Sequence, residues 1–243
     1  MEPIFQTETT LTDLHCDRFG NLKPSALLFL AQEAAGGHCK ALSLDWDTLA
    51  GRGLFWAIIR HRVQVTRLPR SGQTIRLETW PMPTTRVAYP RSVVAYDEQG
   101  RELFRSISLW VLMDSEKRAM VLPGRSGVEV AGILRGTELP SPPSLAPLTL
   151  ACRVQRRVCF TDLDCNGHMN NARYLDWVAD LLPSDFHAAH PIRDMTLGYV
   201  AEAREGDVLE VSWQAQADGR LELEIQRREG EQTHRIFCAR IDC

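Results

Sequence analysis

The sequence lacks the features that mark several large classes of protein. Its seven cysteines are odd in number and include no CxxC pair, so no disulfide framework is indicated. No run of about 18 apolar residues is present, which argues against a membrane-spanning helix. The first residues, MEPIFQTETT, show no basic region followed by an apolar core, so no signal peptide is predicted. Together these absences predict a cytoplasmic protein with free thiols.

Common cofactor and nucleophile motifs are missing as well. There is no Gly-rich phosphate loop and no GxSxG sequence, which leaves an α/β-hydrolase without support. The pairs His15-Cys16 and His38-Cys39 do not have the spacing of zinc ligands. A formal charge of −3 gives no general reason for binding nucleic acid or an anionic membrane. We therefore expect no metal, no cofactor and no nucleic acid.

The most informative segment is DLDCNGHMNNARYLDW, residues 162–177. Two acids, a histidine and three asparagines stand directly before an amphipathic run that Pro183 should end. The apolar face of this predicted helix consists of Tyr174, Trp177, Val178 and Leu181. Backbone N–H groups at a helix start lack partners and can stabilise a carbonyl oxygen that gains negative charge. The pattern favours hydrolysis of an ester or thioester.

The chain contains a diverged internal repeat. The matching landmarks are Asp17 with Asp164, Gly20 with Gly167, residues 70–77 with 204–211, and turns at 97–101 and 218–220. Each half is predicted to form a strand, a turn, a long helix and a meander of about four strands. Phe19 and Asn21 replace Asn166 and His168, so the first half should have lost any chemistry of the second.

The predicted fold is α+β, a tandem arrangement in which a curved antiparallel sheet wraps a long helix in each half. The first helix should begin at Pro24 and end at Gly36-Gly37. Five prolines and four glycines predict a surface linker at 122–150, between domains 1–121 and 151–243. The predicted strands are residues 55–68, 74–80, 86–96, 102–113, 153–162, 195–203, 208–216, 221–228 and 234–241.

The motif Asp164-x-Asn166-x-His168-x-Asn170-Asn171, followed by Tyr174 and Trp177, resembles the signature of acyl-acyl carrier protein thioesterases. This resemblance covers nearly the whole chain and implies a double hotdog fold. It also implies hydrolysis of fatty acyl thioesters of acyl carrier protein, with the acyl pocket in the first half. In that family an acid lies 34 residues after the motif histidine, as Glu202 does here. Plant members carry a cysteine next, where this chain has Ala203.

The resemblance makes Asp164, Asn166, His168 and Glu202 the expected catalytic residues. A thiol leaving group has a pKa near 8.5, so activating water and stabilising an oxyanion are the demanding steps. We expect Glu202 to be the general base, with His168 sharing that role or orienting the water. Asn166 can present its amide without titrating. Asp164 either orients Asn166 or His168, acts as base or nucleophile as in single-hotdog enzymes, or forms the turn, as Asp17 should in the first half.

Five more motif residues are predicted to support the loop or contact substrate. Asn170 and Asn171 are candidate helix caps. Gly167 should allow a positive φ angle or a close approach of the backbone. Tyr174 and Trp177 should face the core, from which either ring could also line the acyl pocket.

A run of arginines without acids lies between residues 58 and 70. Acyl carrier proteins are strongly acidic, so this run is a candidate docking surface, although such runs are somewhat more often solvated strand faces. Its members are Arg60, Arg62, Arg67 and Arg70, and a second candidate surface comprises Arg153, Arg156 and Arg157.

Two alternatives share the same residues. GHMNNxxY also resembles the motif of single-hotdog acyl-CoA thioesterases, so CoA could replace the carrier protein. A non-catalytic acyl-binding protein would keep the pocket and lose hydrolysis. The sequence leaves acyl chain length open, and a homodimer is possible.

Overall fold

The computed structural model describes residues 2–136 and 138–243. Within these ranges, eleven antiparallel strands form one sheet, which is accompanied by five helices. The strands are β1 (Phe5–Thr10), β2 (Leu54–Val65), β3 (Thr74–Pro81), β4 (Tyr89–Asp97), β5 (Glu102–Asp114), β6 (Met120–Val121), β7 (Cys152–Arg157), β8 (Asp194–Tyr199), β9 (Val208–Ala215), β10 (Arg220–Glu229) and β11 (Gln232–Asp242). The helices are α1 (Pro24–Ala41), α2 (Trp46–Ala50), α3 (Pro123–Ser126), α4 (Arg173–Ala179) and α5 (Ser184–Ala189). None of these helices is long and apolar enough to span a membrane.

The order of the strands repeats about the centre of the sheet. It is β1-β3-β4-β5-β2 in the first half and β8-β11-β10-β9-β7 in the second, with the short β6 beside β5. The two halves meet where β2 pairs with β8, from Arg60 opposite Gly198 to Gln64 opposite Asp194. The first strand of each half, β1 or β7, therefore lies at an outer edge, as a duplicated meander requires.

Helix α1 begins at Pro24 as predicted, but the prediction that it ends at Gly36-Gly37 is wrong. It continues to Ala41, four residues beyond Gly37. A Cβ at Gly37 would lie 2.8 Å from the ring of Phe5, so this glycine serves close packing against β1 instead of ending the helix. The buried face of α1 covers the sheet and meets α4, which joins both halves into one core.

The prediction of a long helix in the second half is also wrong. Helix α4 has seven residues and ends at Ala179, and α5 follows separately at Ser184. Pro183 lacks an N–H and would clash with the carbonyl four residues earlier, which is that of Ala179. Tyr174, Trp177 and Val178 are buried as expected. A helix this short contributes little macrodipole to the polar motif before it.

The segment at 122–150 is not a simple surface linker. It contains α3, and Val128, Leu145 and Leu150 are buried. Gly132 packs against the backbone of Met82, where a Cβ would lie 2.2 Å from the nearest atom. The segment therefore covers part of the sheet, and apolar burial holds it there.

The predicted strands are all present, with several ends displaced. The prediction for β7 extended to residue 162, but a 3-10 turn replaces the strand at Phe160–Asp162. Strand β8 ends at Tyr199, short of the predicted residue 203, and β4 begins at Tyr89 after a turn held by Thr85. Side-chain acceptors at these turns satisfy backbone N–H groups that a longer strand would pair.

Candidate active site

The motif loop is a tight turn organised by Asp164. Its Oδ1 accepts hydrogen bonds from the backbone N–H groups of Asn166, at 2.8 Å, and His168, at 3.4 Å. The backbone N–H of Asp164 in turn donates to the carbonyl of His168 at 2.8 Å. Gly167 has a φ of 74°, which an L side chain rarely adopts. The sharp reversal of the chain thus depends on this acid and this glycine.

The first half contains the same turn without the same side chains. Asp17 Oδ1 accepts from the N–H groups of Phe19, at 2.8 Å, and Asn21, at 3.0 Å, and Gly20 has a φ of 76°. The predicted structural role of Asp17 is therefore confirmed, and it supports the same role for Asp164. The internal repeat is visible at the level of single hydrogen bonds.

His168 and Glu202 meet at the end of this turn. An isolated bridge pairs His168 with Arg204, and the N–H of Met169 donates to the carbonyl of Ala203 at 2.8 Å. This pairing brings His168 Nε2 to 3.1 Å from Glu202 Oε2. Two residues that are 34 positions apart in the sequence therefore form one polar pair.

Arg118, from the first half, completes this pair. It lies in the turn between β5 and β6 with a φ of 50°. Its Nη2 lies 3.0 Å from His168 Nε2 and donates a short hydrogen bond to Glu202. Its guanidinium also lies over the ring of Phe55, with 4.8 Å between Cζ and the ring centroid. Both halves of the chain therefore contribute to the polar cluster.

The charges of this cluster set its protonation at neutral pH. Burial lowers the pKa of His168, and Arg118 and Arg204 lower it further against the opposite effect of Glu202. Burial alone would raise the pKa of Glu202, but the Arg118 hydrogen bond and the charges of His168 and the two arginines lower it overall. Glu202 is therefore an anion and His168 a neutral imidazole near pH 7.

Asn166 is held by a tryptophan from the first half. Trp46 Nε1–H donates to Asn166 Oδ1 at 2.9 Å, while Asn166 Nδ2 is 3.5 Å from Asp164 Oδ2. Trp46 lies on α2 and is 54% exposed. This contact fixes the orientation of the Asn166 amide. Because an amide does not titrate, it stays the same hydrogen-bonding group at every working pH.

Two cavities adjoin the motif loop. We call the first, of about 410 Å³, the motif cleft, and the second, of about 390 Å³, the helix chamber. The motif cleft is lined by residues 55–59, Val111, Met113, Arg118, Met120, Asp164, Asn166, His168, Met169, Asn171, Tyr174 and 199–202. The helix chamber is lined by Gln32, Ala35, Gly36, Cys39, Leu44, Asp45, Trp46, Trp56, Pro81, 89–91, Trp110, Val130, 164–166, Asn170 and Asn171. Trp56, Asp164, Asn166 and Asn171 line both, so the cavities adjoin at the motif.

The other motif residues divide between support and lining. The prediction that Asn170 and Asn171 cap the helix is wrong, because Ala172 is the N-cap of α4 and no side chain caps it. Asn170 Oδ1 instead accepts from the N–H of Ala172 at 2.9 Å in the turn before α4, and the carbonyl of Asn171 accepts from Tyr199 at 3.1 Å. Tyr174 is buried, its ring stacks on Phe237, and it lines the motif cleft; burial raises its pKa well above the usual range.

Trp177 lines neither cavity. It is buried in the core, and the guanidinium of Arg156 lies over its ring at 4.8 Å. Of the two aromatic residues predicted from the motif, only Tyr174 therefore has access to a cavity beside the site.

The arginines predicted as a docking surface are engaged within the chain. Arg62 pairs with Asp194 at 3.0 Å, and Arg67 pairs with Asp97 at 3.7 Å. Arg60 and Arg70 donate to backbone carbonyls, of Pro142 and Phe19. These contacts neutralise part of the run, and its role in docking stays a prediction. Within the described ranges, no group of three or more His, Cys, Asp and Glu side chains is arranged to hold a metal ion.

Sequence reasoning missed Arg118 and Trp46. Neither stands in or near the motif, because they lie 50 and 120 residues from their partners His168 and Asn166. The repeat is the signal that could have indicated them. If the two halves pair as copies of one unit, the site of each copy faces the other half. Residues of the first half that face the motif are then candidates for the site.

A duplicated antiparallel sheet with one polar cluster between its halves matches a known class of enzymes. The family model for the N-terminal domain of acyl-ACP thioesterases matches residues 3–122, and that for the C-terminal domain matches residues 148–239. The chain therefore belongs to the acyl-ACP thioesterase family.

Individual relatives agree with this family. The chain is 27% identical over 197 residues to a chloroplastic palmitoyl-acyl carrier protein thioesterase of Gossypium hirsutum, covering 74% of this chain and 47% of that protein. It is 25% identical over 206 residues to a chloroplastic oleoyl-acyl carrier protein thioesterase of Coriandrum sativum, covering 74% and 54%. The chain thus spans about half the length of the curated relatives it matches.

Solved structures share the fold over almost the whole chain. An acyl-ACP thioesterase from Bacteroides thetaiotaomicron superposes with a TM-score of 0.85 at 21% identity, covering 99% of this chain and 97% of that one. A 12:0-ACP thioesterase from Umbellularia californica gives a TM-score of 0.83 at 23% identity, with 100% and 97% covered. At these identities the likeness establishes the fold.

Proposed function

We propose that this protein hydrolyses fatty acyl thioesters of acyl carrier protein, releasing a free fatty acid and the carrier thiol. The carrying observation is the cluster of His168, Glu202 and Arg118 in the motif cleft, beside an apolar chamber that adjoins it at Asn166. The named activities of the relatives support the same reaction and the same partner.

The two cavities suggest how such a substrate would bind. The helix chamber lies against α1 and the sheet of the first half, and tryptophans contribute to its walls, which suits an acyl chain. The motif cleft would hold the thioester end of the phosphopantetheine arm. The reacting carbonyl would then lie near Asn166 and Asn171, which line both cavities.

The electrostatics of the pair favour His168 as the group that takes the proton from water. Its lowered pKa keeps it neutral, whereas the paired, acidified Glu202 is the weaker base. Nε2–H donating to Glu202 would leave Nδ1 free to accept that proton. In this scheme Glu202 fixes the tautomer and stabilises the imidazolium that forms. The direct role for Glu202 predicted from the sequence stays the alternative.

The proposal extends to the fold and its setting. We infer that each half is a hotdog, with α1 and α4 as the two central helices, and that 1–121, 122–150 and 151–243 are the first domain, the connecting segment and the second domain. The mirrored strand order and the paired turns at Asp17 and Asp164 support this interpretation. A cytoplasmic location and a possible homodimer stay predictions.

The test is release of free fatty acid from carrier-protein thioesters of graded chain length, with matched acyl-CoAs alongside. The variants are Glu202→Ala and, as a matched control, Glu205→Ala, whose side chain is exposed in the same loop. We expect carrier-linked turnover that collapses only in the Glu202 variant. A clear preference for CoA would replace the proposal with an acyl-CoA thioesterase. Tight acyl binding without turnover would make the protein a binding protein.

A further inference from the structure

A broad groove beside the motif cleft carries positive charge that the proposed chemistry does not use. We call it the basic groove; residues 84–86, 122–125 and 128–130 line it, and its volume is about 720 Å³. Arg86, in the turn before β4, and Arg125, on α3, lie on different segments of its wall, and both are exposed. Among the described residues, Glu129 is the single acid of the lining. The groove therefore has a net positive charge.

Neither arginine of the basic groove is neutralised within the chain. Over residues 2–136 and 138–243, no carboxylate lies within 4.0 Å of Arg86 or Arg125. The run between residues 58 and 70 is different, because Arg62 and Arg67 there pair with acids of the same chain. The charge of the groove thus stays available to an anionic partner.

Helix α3 is fixed to the sheet and holds Arg125 in place. Arg52 Nη2 donates to the carbonyls of Ser126, at 3.3 Å, and Gly127, at 3.0 Å. The hydroxyl of Tyr89 lies 2.8 Å from Ser126 Oγ. A helix of four residues does not persist by itself, so these contacts keep it formed. Arg52 is exposed and, in the described part of the chain, also has no carboxylate within 4.0 Å, so it adds a third positive charge beside the groove.

The basic groove is continuous with the motif cleft along β6. Met120 lines the cleft and Leu122, two residues later, lines the groove, and both side chains are exposed. Arg118, in the polar cluster, is seven positions from Arg125. A chain reaches at most about 3.6 Å per residue, so roughly 25 Å is the largest possible separation of their backbones. A small domain is about 30 Å across, so one bound domain can cover both the groove and the opening of the cleft.

We propose that the basic groove is the docking surface for the acidic carrier protein, with Arg86 and Arg125 meeting its carboxylates. The phosphopantetheine arm would then run past Met120 into the motif cleft. This inference rests on the proposed function and adds the surface that recognises the partner. An open groove whose cations stand on separate segments suits carboxylates that are spread over the face of a folded protein. Acyl-CoA is also anionic, but no aromatic side chain is among the described residues of the lining, so the groove offers no ring for stacking on adenine.

The kinetic test compares one acyl chain on three thiols: the carrier protein, CoA and pantetheine. In the double variant Arg86→Glu/Arg125→Glu, kcat/KM for the carrier-linked chain should fall by about tenfold or more at low salt, because electrostatic steering raises association rates by about 10–10³-fold. The pantetheine thioester should change less than about twofold. Added salt should lower the wild-type value for the carrier-linked chain and narrow its difference from the variant.

Arg193→Glu is the matched control. Arg193 is exposed and, within the described ranges, also has no carboxylate within 4.0 Å. Its carbonyl accepts from the N–H of Val65, at the end of β2 remote from Arg52. The 12 residues of β2 span roughly 36 Å at about 3.3 Å each, so this charge lies far from the groove. The control should leave all three thioesters unchanged, and thermal melts would show that each variant is folded.

A binding measurement separates this inference from the proposed function. Fluorescence anisotropy of a labelled carrier protein that bears its arm but no acyl group reports docking without turnover. Binding to the wild type that weakens about tenfold or more in the double variant, and not in Arg193→Glu, supports the inference even if no thioester is hydrolysed. Absent binding to the wild type, or equal binding by the double variant, would overturn it. A loss confined to acyl-CoA, or equal losses for all three thioesters, would also overturn it, because the groove would then serve nucleotide phosphates or the chemistry itself.

Discussion

The contact between His168 and Glu202 predicts that the two residues act in catalysis as one unit. His168 Nε2 and Glu202 Oε2 are 3.1 Å apart. If Glu202 acts by holding the imidazole in one tautomer, it influences the reacting water only through His168. Replacing either residue by alanine removes the same arrangement. The double replacement should therefore cost little more than the more damaging single one.

The expected magnitudes follow from the general-base role and from the coupling of groups in contact. His168→Ala should lower kcat/KM by about 10²–10⁴-fold, the usual contribution of a positioned base. Glu202→Ala should lower it by about 10–10²-fold. Residues in one hydrogen-bonded network couple by roughly 1–3 kcal/mol, which corresponds to a deviation of about 5- to 150-fold from multiplied effects. The double variant should then resemble His168→Ala within a few-fold.

The assay is steady-state thioester hydrolysis by the wild type, both single variants and the double variant, with thiol release as the readout. Asn21→Ala is the matched control, because Asn21 holds the place of His168 in the equivalent turn of the first half. It should change kcat/KM less than about twofold, as surface changes away from a site do. Independent effects of His168 and Glu202 that multiply fully in the double variant would refute the reasoning.

Three further outcomes are expected. Arg118→Asn keeps a residue that tolerates the positive φ of this position but removes a charge that lowers the pKa of His168. The acidic limb of the kcat/KM–pH profile should therefore move to higher pH; a shift to lower pH would contradict the role given to Arg118. Gly167→Ala at a φ of 74° should destabilise the motif turn by about 1–2 kcal/mol in thermal unfolding and reduce kcat, and an unchanged melting temperature would argue against a strained turn. Trp46→Phe removes the donor to Asn166 and should lower kcat by several-fold with the melting temperature preserved; unaltered kinetics would make this contact dispensable.

Much of the fold could be predicted from local sequence patterns. The alternation of apolar and polar residues in a strand, and the residue types at a turn, depend mainly on residues that are close in the sequence. The start of α1 at Pro24 and the turn at Asp17 were predicted correctly for this reason, whereas the turn at Asp164 was one of the roles left open. The errors arose where tertiary packing overruled a local signal. Gly37 reads as a helix end but makes room for Phe5, and the segment at 122–150 reads as solvated but is buried in part against the sheet.

The candidate site likewise contains residues that could be predicted from the sequence and residues that could not. The motif and the spacing to Glu202 indicated residues that the structure brings together at His168. Arg118 and Trp46 could not be predicted from the motif, because they reach it from the other half of the chain. A lone arginine in a turn and a lone tryptophan on a five-residue helix have no local pattern that distinguishes them from surface residues.

The seam between β2 and β8 has a consequence for how this protein could evolve. In an ancestral dimer of identical chains, any substitution in the Asp-centred turn would alter both copies at once. Fusion into a single sheet separates the copies, so Asn21 can stand where the other half retains His168. The first half is thereby released from maintaining a second reaction centre. Its residues become free to diverge as walls of a chamber beside the motif.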